Sequence, residues 1–426
     1  MKNKLIVFLC LLTGTVFSQE NTKSKVKVYG FLSSQAFFDS RQTVAAREGL
    51  IYLFPKTENL DINGDDIYAS PNLNHLSMAS RFGLKINDYS FKNISVSANI
   101  EADFAGTLED NVNQLRLRQA WVQLKWTKLS LKVGQFWHPL FNVKHHPKTL
   151  SLNAGAPFNP FGRYNQVALQ YDLGKTNLIF STYMQRDYAS KGPKDISSFE
   201  SKKSSEFQRN AGIPGLNFKL IQKISNHYLG FSIDYKTIQP RLAISYSSPI
   251  GILKQKTNTK FSSLTLMGFT NLNFNKWEVR ASAIWGGNLN DMVMIGGYYE
   301  KLDNSKSDII KFDYEASKQL SFWTDISSKW ESNFQVGLYA GYLNHLGYSE
   351  EDQGTFYGTG KNIQSIYRIS PRVFYKKNNF KVGPEIDFTS MTYGLNNKNL
   401  STPGKTFNET KTISNVRFLI AGFYFF

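Results

Sequence analysis

Cysteine chemistry is almost absent from this chain of 426 residues, which holds a single cysteine. Cys10 lies in an apolar run near the N-terminus, so the sequence beyond it offers no disulfide, thiolate nucleophile or cysteine-ligated metal centre. Histidine is nearly as scarce, at six residues, and of these His75, His227 and His345 lie on or beside strand-like segments. Asp387 and Ser390 are neighbours in sequence, but no histidine joins them as a nucleophilic triad requires. The chain is therefore read as non-enzymatic. Past the N-terminal segment there is no second apolar run of helix-spanning length and mean hydropathy is -0.35, which excludes a helical membrane protein. Acidic residues are also in deficit, 33 against 50 Lys and Arg, for a net charge of +17.

The start of the chain reads as an export signal. Lys2 and Lys4 precede an apolar stretch over 5–17, and Ser18-Gln19 is a small-residue cleavage point. Non-charged residues continue after Cys10, which argues against a lipoprotein anchor. The organisation expected is a signal peptide over 1–18 and one domain over 19–426. Losing Lys2 and Lys4 takes the charge from +17 to +15. An exported chain of that charge meets anionic solutes or anionic lipid headgroups, so nucleic acid is not an expected partner.

Aromatic residues are abundant, at 15 %, and short segments alternate polar and apolar residues. The alternation predicts strands over 26–38, 75–86, 91–104, 113–126, 129–137, 164–173, 177–188, 215–223, 227–237, 261–274, 277–287, 317–326, 333–345, 363–375, 380–393 and 412–426. Seven tight turns alternate with eight longer connections. An even strand number with short turns on one side and long loops on the other is the layout of an outer-membrane barrel. The expected fold is all-β, a closed antiparallel transmembrane β-barrel of sixteen strands with long external loops and short periplasmic turns. An energy-coupled receptor needs a plug and about twenty-two strands, which this length does not supply.

Two segments strain the pattern. Residues 241–248 alternate like a strand but are assigned to the fifth external loop, since counting them makes the number odd. In the fourth strand the apolar phase shifts from Leu115 and Leu117 to Ala120, Val122 and Leu124. Either a β-bulge near Gln119 or burial of both faces against a second subunit accounts for that shift.

In the last strand Val416, Phe418, Ile420, Tyr424 and Phe426 share one face, with Asn415 and Arg417 on the other. The aromatic C-terminus is similar to the signal that barrel-assembly machinery recognises, which makes Phe426 the expected contact. With the apolar phase facing lipid, Arg81, Arg116, Arg118, Arg280, Arg368, Arg372, Arg417 and Lys85 point into the lumen, together with Lys132, Lys219, Lys236 and Lys381. Arg81, Arg368 and Arg417 each lie a similar number of residues below the rim, so one wall near mid-depth is expected to hold all three. Guanidinium groups bind carboxylate or phosphate in bidentate fashion, which suits a path for anions; the competing reading is that they pair with Glu101, Glu385 and Asp387 to brace the wall.

The third external loop, 138–163, is apolar and basic. It carries Lys144, His145, His146, Lys148, Phe158 and Arg163 and reads either as a constriction folded into the lumen or as surface decoration. His138, His145 and His146 lack a carboxylate among them, and no metal or other cofactor is expected.

Four stretches, RLRQAWVQL at 116–124, VGQFWHPLF at 133–141, AGAPFNPFGR at 154–163 and ISPRVFY at 369–375, resemble a family of bacterial outer-membrane porins that includes the DcaP-like trimeric channels. The resemblance implies a homotrimer of sixteen-stranded barrels in the bacterial outer membrane, passing small anionic solutes such as dicarboxylates. The chain departs from that family in having almost nothing between the leader and Val26, which leaves no N-terminal coiled-coil extension. The function expected is passive diffusion of small, carboxylate-type anions through a basic lumen, within outer-membrane lipid. The alternative is a surface-exposed structural or adhesive barrel without an open pore.

Overall fold

A computed structural model describes residues 25–248, 251–303, 311–330, 332–347, 354–395, 407 and 409–426. The leader assigned to 1–18 lies outside the described residues. Sixteen long strands form one sheet: β1 (Lys25–Asp39), β2 (Arg81–Phe91), β3 (Ile94–Asp103), β4 (Arg116–Lys125), β5 (Leu129–Trp137), β6 (Arg163–Asp172), β7 (Thr176–Met184) and β8 (Gly215–Ile224), followed by β9 (His227–Ile238), β10 (Phe261–Asn273), β11 (Trp277–Gly287), β12 (Lys318–Ser328), β13 (Phe334–Gly347), β14 (Ile363–Lys377), β15 (Phe380–Gly394) and β16 (Thr410–Phe425). Each pairs antiparallel with its sequence neighbours, and β16 returns to β1 in a ladder from Phe31↔Phe425 to Asp39↔Arg417. Closure leaves no edge, as hydrocarbon demands, because an unpaired backbone group there costs several kcal/mol.

The alternation of side chains sorts lipid from lumen. Val28, Leu84, Ile100, Val122, Phe231 and Ile420 face outward and are 41–60 % exposed, in a belt that continues around the ring. An apolar surface of that extent belongs in a bilayer, so the barrel spans a membrane.

A short strand, Asn72–Leu76, pairs with the upper part of β1 from Gln35↔Leu76 to Asp39↔Asn72 and continues β2 beyond a break at 77–80. The segment at 243–248 forms an external hairpin with Gly251–Lys256, outside the barrel ladder. In β4 the register with β3 steps from Glu101↔Gln119 to Ala102↔Leu117. Arg118 is the extra residue of a β-bulge, which turns both Arg118 and Gln119 toward the lumen.

The interior departs from a simple polar lining. Leu419, Ala421 and Phe423 of β16 point inward and pack with Phe37, Phe374 and Leu150. A larger apolar cluster joins loop one (Ile51, Leu53, Phe54), loop three (Leu140, Phe158, Phe161), the 289–295 segment and the inner faces of β10 to β16. These loops fold into the barrel because their apolar side chains gain more by burial there than over water, at ~25 cal/mol per Å².

Candidate functional site

Loop three runs down inside the barrel and divides it. Its entry is stiffened by Trp137 stacked on Phe141 at 4.0 Å, with Phe161 set edge-on to both. The loop backbone is then held by the wall. Glu385 accepts the N–H groups of Leu150 (2.6 Å) and Ser151 (2.9 Å), Ser321 donates to the carbonyl of Phe158, and Tyr339 donates to that of Gly155. Phe158 is fully buried over Gly341, where a Cβ would come within 2.7 Å of its ring, so that position has room only for glycine. Lys148 reaches Glu278 at 2.9 Å, and the carbonyl of Lys144, whose side chain is exposed, accepts from Asn271.

Two cavities flank this loop. The first, of about 510 Å³, extends from Leu50 and Ile51 of loop one past Arg81, Arg116, Arg118 and Trp137 to Lys381 and Phe425 at the periplasmic end. Its lining carries six Lys and Arg side chains, Arg81, Arg116, Arg118, Lys148, Lys376 and Lys381, and one carboxylate, Asp103. Arg116 grips Asp103 through Nε (2.7 Å) and Nη2 (3.2 Å) and also reaches Asp187 (3.2 Å). Arg118 binds Glu101 (2.7 Å) and Asp103 (2.6 Å), and Arg163 binds Asp187 (2.6 Å) while lying 4.7 Å over Trp137. Arg81 has no hydrogen-bond or ion-pair partner among the described residues; its guanidinium rests 4.6 Å over Phe31.

The second cavity, of about 650 Å³, lies on the other side of loop three against β2 and β4 to β9. Lys85, Lys132, Lys144 and Lys219 line it with His138 and His145, and no carboxylate does. Lys132 sits 3.7 Å over Trp121 and 4.4 Å over Phe136. Lys219 is 7 % exposed.

The expected wall of three arginines at one depth does not form. Arg81 pairs in the ladder with Phe31 of β1 and Arg417 with Asp39, eight residues further along the same strand, roughly 26 Å at ~3.3 Å per residue. Counting from strand starts misjudged their levels because Asn72–Leu76 extends the sheet above Arg81. Arg417 forms a bidentate pair with Asp39 (2.6 and 2.9 Å) and donates to the carbonyl of Gly49. Arg368 donates to Thr389, to the carbonyl of Ala156 (2.9 Å) and to that of Leu53 (2.6 Å), and so ties loop one to loop three. Arg280 pairs with Glu278 and Asp325, and Arg372 shares Asp325 at 2.8 Å. Arg116, Arg118, Arg280, Arg372 and Arg417 therefore meet carboxylates, and Arg368 meets backbone carbonyls.

The loop histidines separate. His138 is fully buried beneath Tyr164 and Tyr183, with Nε2 3.8 Å from Asp234. His145 lies between Tyr228 and Phe269, and His146 stacks on Phe141. Burial first, then the nearby cations Lys219, Arg280 and Lys144, push His145 down to about 4. Burial, with Arg280 and Lys148, does the same to His146 despite its bond to the Val143 carbonyl. Among the described residues no group of three or more His, Cys, Asp or Glu is arranged to hold a metal ion.

The alternation of the sequence places Lys132 and Lys219 on the lumenal face with nothing to distinguish them, and it carries no sign of Asp39 and Asp187 as anchors. Single charges on separate strands carry no signal of convergence; only the register brings them together.

No sequence-family model and no curated protein matches the chain. Solved structures do. The outer membrane channel DcaP of Acinetobacter baumannii superposes with a TM-score of 0.65 at 15 % identity, covering 96 % of this chain and 99 % of that one. OmpT, an outer membrane protein of Vibrio cholerae, gives 0.54 at 12 % identity over 96 % and 99 % of the two chains, and a trimer form of it gives 0.53 at 10 % identity over 95 % and 99 %. OmpF of Salmonella typhi gives 0.50 at 10 % identity over 95 % and 98 %. The chain is thus a transmembrane β-barrel with the fold of the outer-membrane porins.

Proposed function

We propose that this barrel is a passive outer-membrane channel for small anions, with carboxylate-type solutes passing along the Arg81 cavity and no catalytic step involved. The observation that carries the reading is the lining of that cavity, six basic side chains against one carboxylate, with Arg81 unpaired among the described residues. An unpaired cation beside a water-filled passage raises the local concentration of anions and lowers that of cations. Arg116, Arg118 and Arg163 supply the field around it while their carboxylate partners hold them in place. His146 and Lys148 of loop three line the same cavity, whereas Lys144 and His145 face the second one and Phe158 is buried over Gly341.

The same reading makes the protein a homotrimer, as one of the OmpT structures is described. Ala98, Ala120 and Val122 line a shallow apolar recess on the outside of β3 and β4, small enough to admit a neighbouring barrel. It also gives Phe426 a role in assembly: its backbone bonds reciprocally to Gly30 at 3.1 Å, sealing the ring at the periplasmic end, while 49 % of the residue stays exposed.

A second reading, a barrel without an open pore that serves adhesion or structure, is favoured by the apolar cluster of loops one and three inside the external half. A planar-bilayer measurement decides. The channel reading expects discrete conductance with anion preference in a KCl gradient, reduced in Arg81→Gln. Absence of conductance overturns it in favour of the closed barrel, and cation preference overturns the anion assignment.

A further inference from the structure

The lysine cavity on the far side of loop three is unlike a passage. Its external end is closed by a fully buried polar network in which Tyr183 and Asn217 donate to Asp234, while Lys236 and Tyr164 donate to Asp291. Its other end reaches Ser130, Asn177 and Tyr228, beside the short turns on the periplasmic side.

Inside it, Lys85, Lys132 and Lys219 form no ion pair with any described residue. Asp234, the carboxylate closest in sequence register, is engaged by Tyr183 and Asn217 and lies outside the lining. His145 adds an independent sign: it is 2 % exposed, and neither ring nitrogen has a hydrogen-bond partner. Lys219 is buried and Lys85 and Lys132 are half-buried; holding these cations together with an unsatisfied imidazole and no ion-pair partner is costly, and a ligand that supplies the missing groups relieves the cost. The walls are also selective for shape. Trp121 and Phe136 lie against Lys132, and the Gln170 amide donates to Asn177 nearby.

We infer that this chamber is a second binding site, entered from the periplasmic side, for a small, flat organic anion held by the combined field of Lys85, Lys132 and Lys219 and packed among the aromatic walls. The site is separate from the Arg81 passage, so the proposal deepens the anion reading without requiring that anything flow through the chamber.

The test is binding of 4-fluorobenzoate to the purified full-length protein in detergent, followed by fluorine NMR, with acetate, inorganic phosphate and 4-fluorobenzamide as comparison probes. Saturable 4-fluorobenzoate binding, at least tenfold tighter than that of acetate or the amide, is expected. It should weaken at least tenfold in Lys132→Gln and in Lys219→Gln and persist in Arg81→Gln. Phosphate competing equally well would keep the anion site and remove the requirement for a flat body. Removing one of several mutually repelling cations should raise the melting temperature of the empty protein, a readout that separates lost binding from lost folding. Binding that is absent, or that depends on Arg81 and ignores both lysines, overturns the inference. Conductance is measured separately, so a closed barrel that still binds 4-fluorobenzoate refutes the channel and leaves the chamber standing.

Discussion

Asp39 and Arg417 face each other across the seam where the last strand meets the first, joined by two hydrogen bonds of 2.6 and 2.9 Å in a fully buried site. Arg417 also holds the carbonyl of Gly49 and lies over the rings of Phe37 and Tyr52. The charge on the closing strand thus fastens loop one to the seam.

Asp39→Asn should therefore damage closure more than transport. It leaves a buried guanidinium without its counter-charge, and breaking one partner of such a pair costs about 3–5 kcal/mol. The temperature at which the folded band converts to the unfolded one on gels should drop clearly, and Asp39→Asn combined with Arg417→Gln should recover part of the loss. An unchanged transition temperature in the single variant would refute the role.

Arg368 carries a different expectation. It holds two backbone carbonyls, from Leu53 and Ala156, each bond being of the charge-assisted kind that contributes about 1.5–3 kcal/mol. Arg368→Ala should release residues 49–56 and the tip of loop three, giving new protease cuts there and larger or noisier conductance with ion preference retained. Arg368→Lys should not restore the wild-type state, because an ammonium lacks the fork that reaches both carbonyls along with Thr389. Loss of anion preference with intact loops would return Arg368 to the solute path.

These residues mark where the sequence stops being legible. All sixteen strands could be read because period-two alternation and the sorting of short turns from long loops are local signals, and even the Arg118 bulge announced itself as a phase shift. The partners of the lumenal arginines could not. Arg368 binds carbonyls, which every residue has, and Glu385 binds two loop N–H groups; neither leaves a compositional trace. Leu419 and Phe423 contradicted the polar-lumen rule because loops one and three, having entered the barrel, offered them an apolar surface. Lys132 and Lys219 looked like isolated charges until the register placed both against one cavity.

Salt should reveal whether unpaired charge drives selectivity. The screening length is ~30 Å at 0.01 M and ~3 Å at 1 M, so the influence of Arg81 and Lys381 should fade between them. Reversal potentials in tenfold KCl gradients should give a strong anion preference at the low end that approaches unity at the high end. Arg81→Gln should flatten that dependence. A preference undiminished at 1 M would mean that close contact, and not the field of unpaired cations, selects the ion.

The last expectation concerns acid. His145 and His146 are held near 4 by burial and by Lys219, Arg280, Lys144 and Lys148, with Glu278 opposing the shift at His145. An unfolded or released loop would return both to about 6.5. Between those values the released state binds more protons than the folded one, so stability rises with pH there. The contribution of the neutral histidines is complete above about 6.5, declines as the pH falls, and is gone below about 4. Loop three should therefore loosen over that window, before most carboxylates protonate. Tryptophan emission from Trp137, stacked on Phe141 beside His146, offers a local signal, read as the difference from a Trp137→Phe variant. His145→Gln combined with His146→Gln should remove the transition, whereas a transition that persists unchanged would assign the acid response to another group.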